Sequence, residues 1–193
     1  MGKVKYGLKN VHYAVATIDE TTNTATYAKP PVKWPGAVSL SMEAKGDTSN
    51  FYADDGIYFT TVANNGYEGD LEMAMVLDSF RTDVLGEEKD KNNVMVDDTN
   101  ALQVHFALLF EFQGDKSGRR HVLFNCVASR PGISSATKGE SVEVKTETVH
   151  ITAAPVHCDA LKKDMTKAYA DSESSAYAKW YETVYTPVAN DAM

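Results

Sequence analysis

Residues 102–112 read LQVHFALLFEF. Every even position of this stretch carries a large apolar side chain, whereas the odd positions carry Gln, His, Ala, Leu and Glu. Successive side chains of a β-strand point to opposite faces of the sheet, so the alternation predicts one long strand with a heavily apolar face. Such a face must pack against a second layer, and the stretch therefore indicates a layered β-protein.

The same two-residue period recurs along most of the chain. Residues 122–129 differ in being apolar on both faces apart from Asn125, which is typical of a central strand. Turn residues at 64–66 (Asn-Asn-Gly) and 114–118 predict hairpin connections. The segments predicted to be strands are 6–17, 38–43, 57–62, 68–77, 102–112, 122–129 and 142–153.

Helix signals are few. Asp78 is placed to cap a helix over 79–85, and Gly86 is placed to end it. Apolar residues spaced i, i+3, i+4 and i+7 over 177–184 predict an amphipathic helix. Residues 160–170 fit both periods, and we assign them to a strand.

Together these patterns predict a mainly β fold. Two packed β-sheets form a sandwich or partial barrel with one short flanking α-helix. We place this domain at residues 1–153, and a C-terminal arm with a short helix at residues 154–193.

Composition agrees with an ordinary folded domain. The 193 residues are 43% apolar and 24% charged, close to globular averages. The two cysteines have no metal-binding spacing, and Cys126 alternates with apolar neighbours as a core residue does. The sequence has no signal-peptide pattern and no apolar stretch of about 20 residues. We therefore expect synthesis in a reducing cytoplasm and no membrane partner.

Charge argues against a DNA-binding protein. Lys and Arg number 19 against 27 Asp and Glu, which gives a net charge of −8. Neutralisation of phosphates by Lys and Arg supplies most of the affinity for duplex DNA, so a chain this acidic is a poor binder. Arg119 and Arg120 form a basic spot that is too small for a nucleic-acid footprint.

No constellation of catalytic residues is present in the sequence. The five histidines lack the spacing of a metal site, and no nucleophile elbow or glycine-rich phosphate loop occurs. Asp54 and Asp55 would point to opposite faces of a strand, so they share a ligand only within a turn; a turn-forming Asp-Asp-Gly is the simpler interpretation. We predict no catalytic residue, no cofactor and no metal.

Two surface features stand out. The carboxylates of Glu68, Asp70 and Glu72 would stand in a row about 7 Å apart on one face of a strand. An ordinary solvated sheet face is the alternative interpretation. The ten tyrosines suit sheet surfaces and subunit interfaces, and stacking on bases or sugars is a further alternative.

Several segments in order resemble the major tail protein family of long, non-contractile-tailed phages of Gram-positive hosts. The resemblance extends to Ala154-Pro155 and to the segment around Trp180, whereas residues 156–171 depart from the family pattern. The segments that carry it are GLKNVHY (7–13), PGAVSLS (35–41), FYADD (51–55), NGYEG (65–69) and FRTDVLGEE (80–88).

The resemblance implies a tail tube subunit located in the virion tail. Such subunits form hexameric rings in which one sheet of each subunit joins a continuous barrel around a lumen. The rings stack around the tape-measure protein, contact tail-tip and tail-terminator proteins, and later pass the double-stranded genome without binding it specifically. The resemblance implies neither catalytic residues nor a cofactor.

Three sets of residues receive hypothetical roles on this basis. The lumen candidates are negative, because a negative bore repels phosphate and lets DNA slide. The candidates for the lumen are Glu68, Asp70 and Glu72, followed by Glu143 and Glu147. The candidates for a ring-stacking loop within 44–64 are Gly46, Asp47, Asn50, Phe51, Tyr52, Asp54 and Asp55. Trp180 with Tyr177 is the candidate anchor of the arm, which either packs on the outside or bridges to a neighbour.

A function from another class competes with this one. A virion-associated carbohydrate-binding β-sandwich would use exposed tyrosines and Trp34 as stacking surfaces for sugars. Electron microscopy of the purified protein separates the two, because rings or tubes of even diameter belong only to the tail tube.

Overall fold

The structure, a computed structural model, describes residues 6–135, 137 and 144–189. These residues form sixteen β-strands and one helix, α1 (Asp78–Asp83), which confirms the mainly β fold. The strands are β1 (Leu8–Val15), β2 (Thr17–Asp19), β3 (Thr24–Thr26), β4 (Val32–Lys33), β5 (Ala37–Lys45), β6 (Thr48–Ala53), β7 (Gly56–Val62), β8 (Gly66–Met73), β9 (Glu88–Lys89), β10 (Met95–Val96), β11 (Phe106–Phe112), β12 (Arg120–Ala128), β13 (Glu147–Ala153), β14 (Val156–Cys158), β15 (Lys163–Met165) and β16 (Lys167–Ala170).

A single large sheet organises the molecule. Its strands follow the order β4–β1–β11–β12–β13–β8–β5, and neighbours are antiparallel. β12 is shared: β16 pairs with its first half, at 120–123, and β13 pairs with its last residues, at 126–128. This central position explains why β12 is apolar on both faces, as the sequence predicts. The loop at 114–118 joins β11 to β12, so the predicted hairpin connection there is confirmed.

Two separate cores cover the two faces of the main sheet at β1, β11 and β12. Phe106, Leu108 and Phe110 of β11 point into the first core, which α1 and Trp34 complete. Ala107 and Leu109 point into the second core, which lies between the main sheet and a smaller sheet of order β15–β14–β3–β2. The alternation in β11 therefore serves two layers, and the sandwich is confirmed.

Several predicted strand ends are wrong. β11 begins at Phe106, and Leu102 is 88% exposed. The ladder between β1 and β11 ends at Val15 and Phe106, followed only by a hydrogen bond from the N–H of Ala16 to the carbonyl of His105; among the described residues no strand pairs with 102–105. β8 likewise ends at Met73, and β13 begins only at Glu147.

Helix α1 is shorter than predicted, and its cap differs. Leu77 occupies the N-cap position without a side-chain hydrogen bond, and the Asp78 carboxylate contacts Lys89 at 3.2 Å instead. The helix ends at Asp83, two residues before the predicted end, and Gly86 has a φ of +76°, a left-handed conformation that favours glycine. The side chain of Phe80 is buried in the first core.

The predicted helix at 177–184 is wrong, because this segment is a series of hydrogen-bonded turns. The carbonyl oxygen of Tyr177 accepts two hydrogen bonds, one from Nη1 of Arg120 at 2.6 Å and one from the backbone N–H of Trp180 at 3.3 Å. It is therefore not free for the N–H of Tyr181, as an α-helix requires. We call residues 171–189 the strap; its buried residues are Trp180, Val184 and Pro187.

The start of the predicted arm is strand, as expected. β15 and β16 occupy 163–165 and 167–170, which confirms the assignment of residues 160–170. The domain boundary after residue 153 stays a prediction, and β16 joins the main sheet through β12. Within the described ranges, no helix is both long and apolar enough to cross a bilayer.

Candidate functional site

The predicted acidic row lies on the face of β8 that points away from the first core. Leu71 and Met73 of β8 are buried in that core, whereas Glu68, Asp70 and Glu72 occupy the alternate positions. The register extends this face to both neighbouring strands. The residues paired with the row are Ser39, Ser41 and Glu43 on β5, and Thr148, His150 and Thr152 on β13.

A histidine lies between two of these carboxylates. The Nδ1 atom of His150 is 2.8 Å from Asp70 Oδ1, and its Nε2 atom is 3.0 Å from Glu68 Oε1. A neutral imidazole has only one N–H, so both hydrogen bonds form only when the ring is an imidazolium. Hydrogen bonds to Asp70 and then to Glu68 raise the pKa of His150 above its ordinary value. Lys45 also pairs with Glu68, so the row is less negative than its sequence indicates.

Glu72 is held by hydroxyl groups and keeps its charge. The hydroxyls of Thr146 and Ser39 donate to it at 2.5 and 2.8 Å. These hydrogen bonds lower the pKa of Glu72, that of Thr146 most. The negative charge of the face is therefore concentrated at Glu72 and at Glu43 on the neighbouring strand.

Of the second pair of lumen candidates, Glu147 does not extend the row. Glu147 is opposite Met73, so its side chain leaves β13 on the face of the first core. There Glu147 Oε1 is 2.7 Å from Arg81 Nη2, and Oε2 accepts the N–H of Val76 at 2.5 Å. Placing Glu147 with the acidic face was wrong, because the sequence does not give the register. Glu143 lies outside the described residues.

The pH titration of His150 tests this arrangement. We expect a midpoint above 6.5 by NMR, because both carboxylates favour the charged ring. Since the pKa is raised on folding, the stabilisation is complete below pH 6.5 and disappears as pH rises through the folded pKa. Asp70→Asn should lower the midpoint, because it removes the negative charge beside the ring. A midpoint at or below 6.5 in the unmodified protein would contradict the bridging geometry.

The second feature is a hairpin that leaves the main sheet between β5 and β8. These strands pair as far as Lys45 and Gly66, and β6 and β7 then pair only with each other. The predicted turn at 64–66 is therefore not a hairpin between β7 and β8. A Cβ on Gly46 would lie 1.8 Å from the carbonyl oxygen of Ala63, so only glycine allows the two segments of the backbone to approach this closely.

The hairpin, residues 46–65, is apolar on both faces. Phe51 and Phe59 form one cross-strand pair, and Tyr52 and Ile57 form the next pair, which lies on the opposite face. Tyr58, at the irregularity between the pairs, meets Phe51 edge to face at 6.5 Å and is 74% exposed. All five side chains are more than half exposed. Nothing in the described part of the chain buries them.

The tip of the hairpin confirms the turn interpretation of Asp-Asp-Gly. Asp54 and Asp55 have φ angles of +49° and +60°, as the two central residues of a tight hairpin turn require. Asn50 accepts a hydrogen bond from the Thr60 hydroxyl across the two strands. All seven ring-stacking candidates thus lie in one element: Gly46, Asp47, Asn50, Phe51, Tyr52, Asp54 and Asp55.

The anchor residues of the strap contact the main sheet directly. Trp180 is 1% exposed, and its Nε1 atom donates to the carbonyl of His121 at 3.3 Å. Tyr177 stacks beneath Arg120, with 3.8 Å between the guanidinium carbon and the ring centre. Sequence reasoning missed Arg120 as a partner of these rings; its place at the start of a strand, beside a turn, gives no such signal.

Trp34 does not form a stacking surface for sugars. It is 1% exposed in the first core, and its Nε1 atom donates to the carbonyl of Met75 at 3.0 Å. The use of Trp34 in the carbohydrate-binding hypothesis is therefore wrong. Cys126 and Cys158 are free, buried thiols, and burial raises the pKa of Cys126, so that thiol is unreactive.

Comparison with known proteins identifies no family. No family model matches the sequence, and no curated protein matches it. One similar solved structure is the anti-feeding prophage cap, described as a tube terminating cap and determined by cryo-electron microscopy. The likeness covers 88% of this chain and 94% of that one, with 10% identity and a TM-score of 0.41. A likeness this distant assigns no role to this chain.

Proposed function

We propose that the protein is the structural subunit of a phage tail tube. In this proposal, subunits are made in the host cytoplasm and assemble into hexameric rings that stack around the tape-measure protein, between the tail-tip and tail-terminator proteins. The acidic face lines the bore through which the genome leaves. The observation that carries the proposal is the hairpin at 46–65, whose large apolar side chains are exposed on both faces.

Such a hairpin requires a partner. A two-stranded hairpin alone is at best marginally stable in water, and contiguous exposed apolar residues mark interaction sites. A ribbon that is apolar on one face could lie flat on a surface, but one that is apolar on both faces is fully buried only in a gap. The adjacent ring of a stacked tube supplies such a gap between subunits.

The edges of the main sheet support closure into a ring. β5, with nine residues, has a paired strand on one side only among the described residues. At the opposite edge, β4 covers only His12 and Tyr13 of β1. Pairing between the edges of neighbouring copies satisfies the free backbone groups and removes both edges, which otherwise promote aggregation.

Neutralising the acidic face should slow genome ejection. Glu68→Gln with Asp70→Asn and Glu72→Gln removes the three carboxylates of the row, and the charges of Lys45 and Glu43 then balance. The bore no longer repels phosphate, and we expect ejection in vitro to slow by about tenfold. Tube length should be normal. Ejection at the normal rate would show that the acidic face does not line the bore. The control is Glu173→Gln with Glu182→Gln, which neutralises two carboxylates on the C-terminal segment.

Electron microscopy of the purified protein tests the proposal as a whole. Rings or tubes of uniform diameter are expected at high concentration or after seeding with tail tips. A subunit that remains monomeric with tips present would contradict the proposal. Glycan-array binding by that monomer would instead favour the carbohydrate-binding alternative.

A further inference from the structure

A buried carboxylate of the main sheet contacts the strap at a second place, apart from the buried ring of Trp180. Glu111 of β11 is nearly inaccessible to solvent. Its Oε1 atom is 3.2 Å from Lys9 Nζ, and its Oε2 atom is 3.2 Å from Arg120 Nε. The hydroxyl of Tyr181, on the strap, also donates to Oε2 at 3.3 Å. Asn10 completes the set at 2.6 Å.

Arg120 connects this carboxylate to the strap. Its guanidinium group lies 3.8 Å from the ring centre of Tyr177 and 4.9 Å from that of Tyr181. Its Nη1 atom donates to the carbonyl of Tyr177. A cation over the face of an aromatic ring is attracted to it, most strongly where water is excluded. Arg120, whose position Glu111 fixes, therefore holds the strap at both tyrosine rings.

His12, on β1, packs against the same cluster. The ring of His12 is buried and stacks on Tyr181, with 4.4 Å between the ring centres. Its Nδ1–H donates to the carbonyl of Asn10 at 2.9 Å. The charged groups around it come from four strands and are Lys9 on β1, Lys33 on β4, Glu111 on β11 and Arg120 on β12. Protonation of His12 adds a fourth positive charge beside a single carboxylate.

From this geometry we propose that acid releases the strap from the main sheet. When His12 takes up a proton, residues 171–189 leave the main sheet while the first core stays folded. The strap has no strand of its own and is bound by side chains alone beyond β16, so its release breaks no ladder of the main sheet. This inference does not depend on the proposed tail function.

The direction of the pH dependence follows from two groups. Burial lowers the pKa of His12 below 6.5 in the closed state, so its contribution to closure is complete above pH 6.5 and is lost as pH falls through the lowered value. Burial opposes ionisation of Glu111, but Lys9 and Asn10 lower its pKa overall, so acid weakens this contact too. His12 has one pKa when the strap is closed and a higher one when it is open. For each unit of difference between these two pKa values, acidification lowers the ratio of closed to open molecules by up to tenfold.

Acid does not weaken the molecule uniformly. The contacts of His150 on β13 strengthen when the ring is protonated, because its pKa is raised by Asp70 and Glu68. The strap and the β5–β8–β13 side of the sheet therefore respond to acid in opposite directions. Local opening, and not general unfolding, is the expected result between pH 6.5 and pH 5.

The two tryptophans report on the two cores separately. Trp180 belongs to the second core and Trp34 to the first, so Trp34→Phe leaves a reporter of the strap and Trp180→Phe a reporter of the main core. On acidification from pH 8 to pH 5, we expect the emission of Trp180 to shift to the red and become quenchable by acrylamide. The emission of Trp34 should not change. Hydrogen exchange of residues 171–189 in the unmodified protein gives the same readout without a substitution.

Substitution of the histidine decides the mechanism. His12→Gln cannot take up a proton, so it should remove the step below pH 6.5, whereas His157→Gln should retain it. The proposal is overturned if Trp34 and Trp180 report one transition at the same pH, if neither the fluorescence nor the exchange of the strap changes down to pH 5, or if His12→Gln keeps the step.

Discussion

Removal of the hairpin at 46–65 should give a subunit that folds and does not polymerise. Deleting residues 48–62 leaves the ladder between β5 and β8 intact as far as Lys45 and Gly66. The removed strands pair only with each other, and their side chains are exposed, so neither core loses a residue. We expect unchanged β-sheet circular dichroism, a thermal midpoint within a few degrees and no tubes by electron microscopy.

Point variants show whether the hairpin is buried on both faces, as in a gap between subunits, or on one face only, as on a flat surface. Phe51→Ser with Phe59→Ser alters one face, and Tyr52→Ser with Ile57→Ser alters the other. If both faces are buried in the tube, either pair should abolish assembly. Met75→Ser removes an equally exposed apolar side chain away from the hairpin and should assemble normally. Tubes formed at the normal rate by the deletion variant would contradict the stacking role.

The sequence predicts most of the strands that form the cores, because a two-residue period is a local property. β11 and β12 are recognisable because an apolar side chain at each alternate position requires a covered face. The short helix α1 and its terminal Gly86 are likewise local signals. The mainly β, layered architecture follows from these elements.

Partner choice is not local, and the wrong predictions concern it. β11 does not extend to residue 102, because its ladder with β1 ends at the pair of Val15 and Phe106. The turn residues at 64–66 were recognised, but the sequence does not show that β7 pairs back on β6 alone. The strap has the apolar spacing of a helix and is not one, because Arg120, distant in sequence, takes the carbonyl of Tyr177.

The candidate site divides in the same way. The row of Glu68, Asp70 and Glu72 follows from alternation within one strand, and the structure places the three on one face. Its partial neutralisation by His150 and Lys45 depends on the register of two other strands. The same register places Glu147 on the opposite face, beside Arg81. The net charge of this sheet face therefore depends on the side chains of three strands, and the sequence of β8 alone overestimates its negative charge.

Trp180→Ala should produce the largest loss of stability among single substitutions in the strap. The indole is fully buried in the second core against Val184 and stacks on Tyr185, with 5.5 Å between ring centres. Truncation leaves a cavity beneath the strap and removes the hydrogen bond that Nε1 donates to the carbonyl of His121. Buried Trp→Ala changes cost about 3–5 kcal/mol. Urea unfolding followed by circular dichroism measures the loss.

A conservative variant retains part of the packing. Trp180→Phe keeps one aromatic ring but loses the Nε1 donor and part of the indole volume, so it should cost less than Trp180→Ala. Removing Arg120 by Arg120→Met should loosen the strap without opening a cavity in the second core, because the guanidinium lies at the edge, over Tyr177. We therefore expect fast hydrogen exchange of residues 171–189 in the Ala and Met variants, and slow exchange in the Phe variant. A loss below about 1 kcal/mol for Trp180→Ala would mean that the strap is not held by its buried ring.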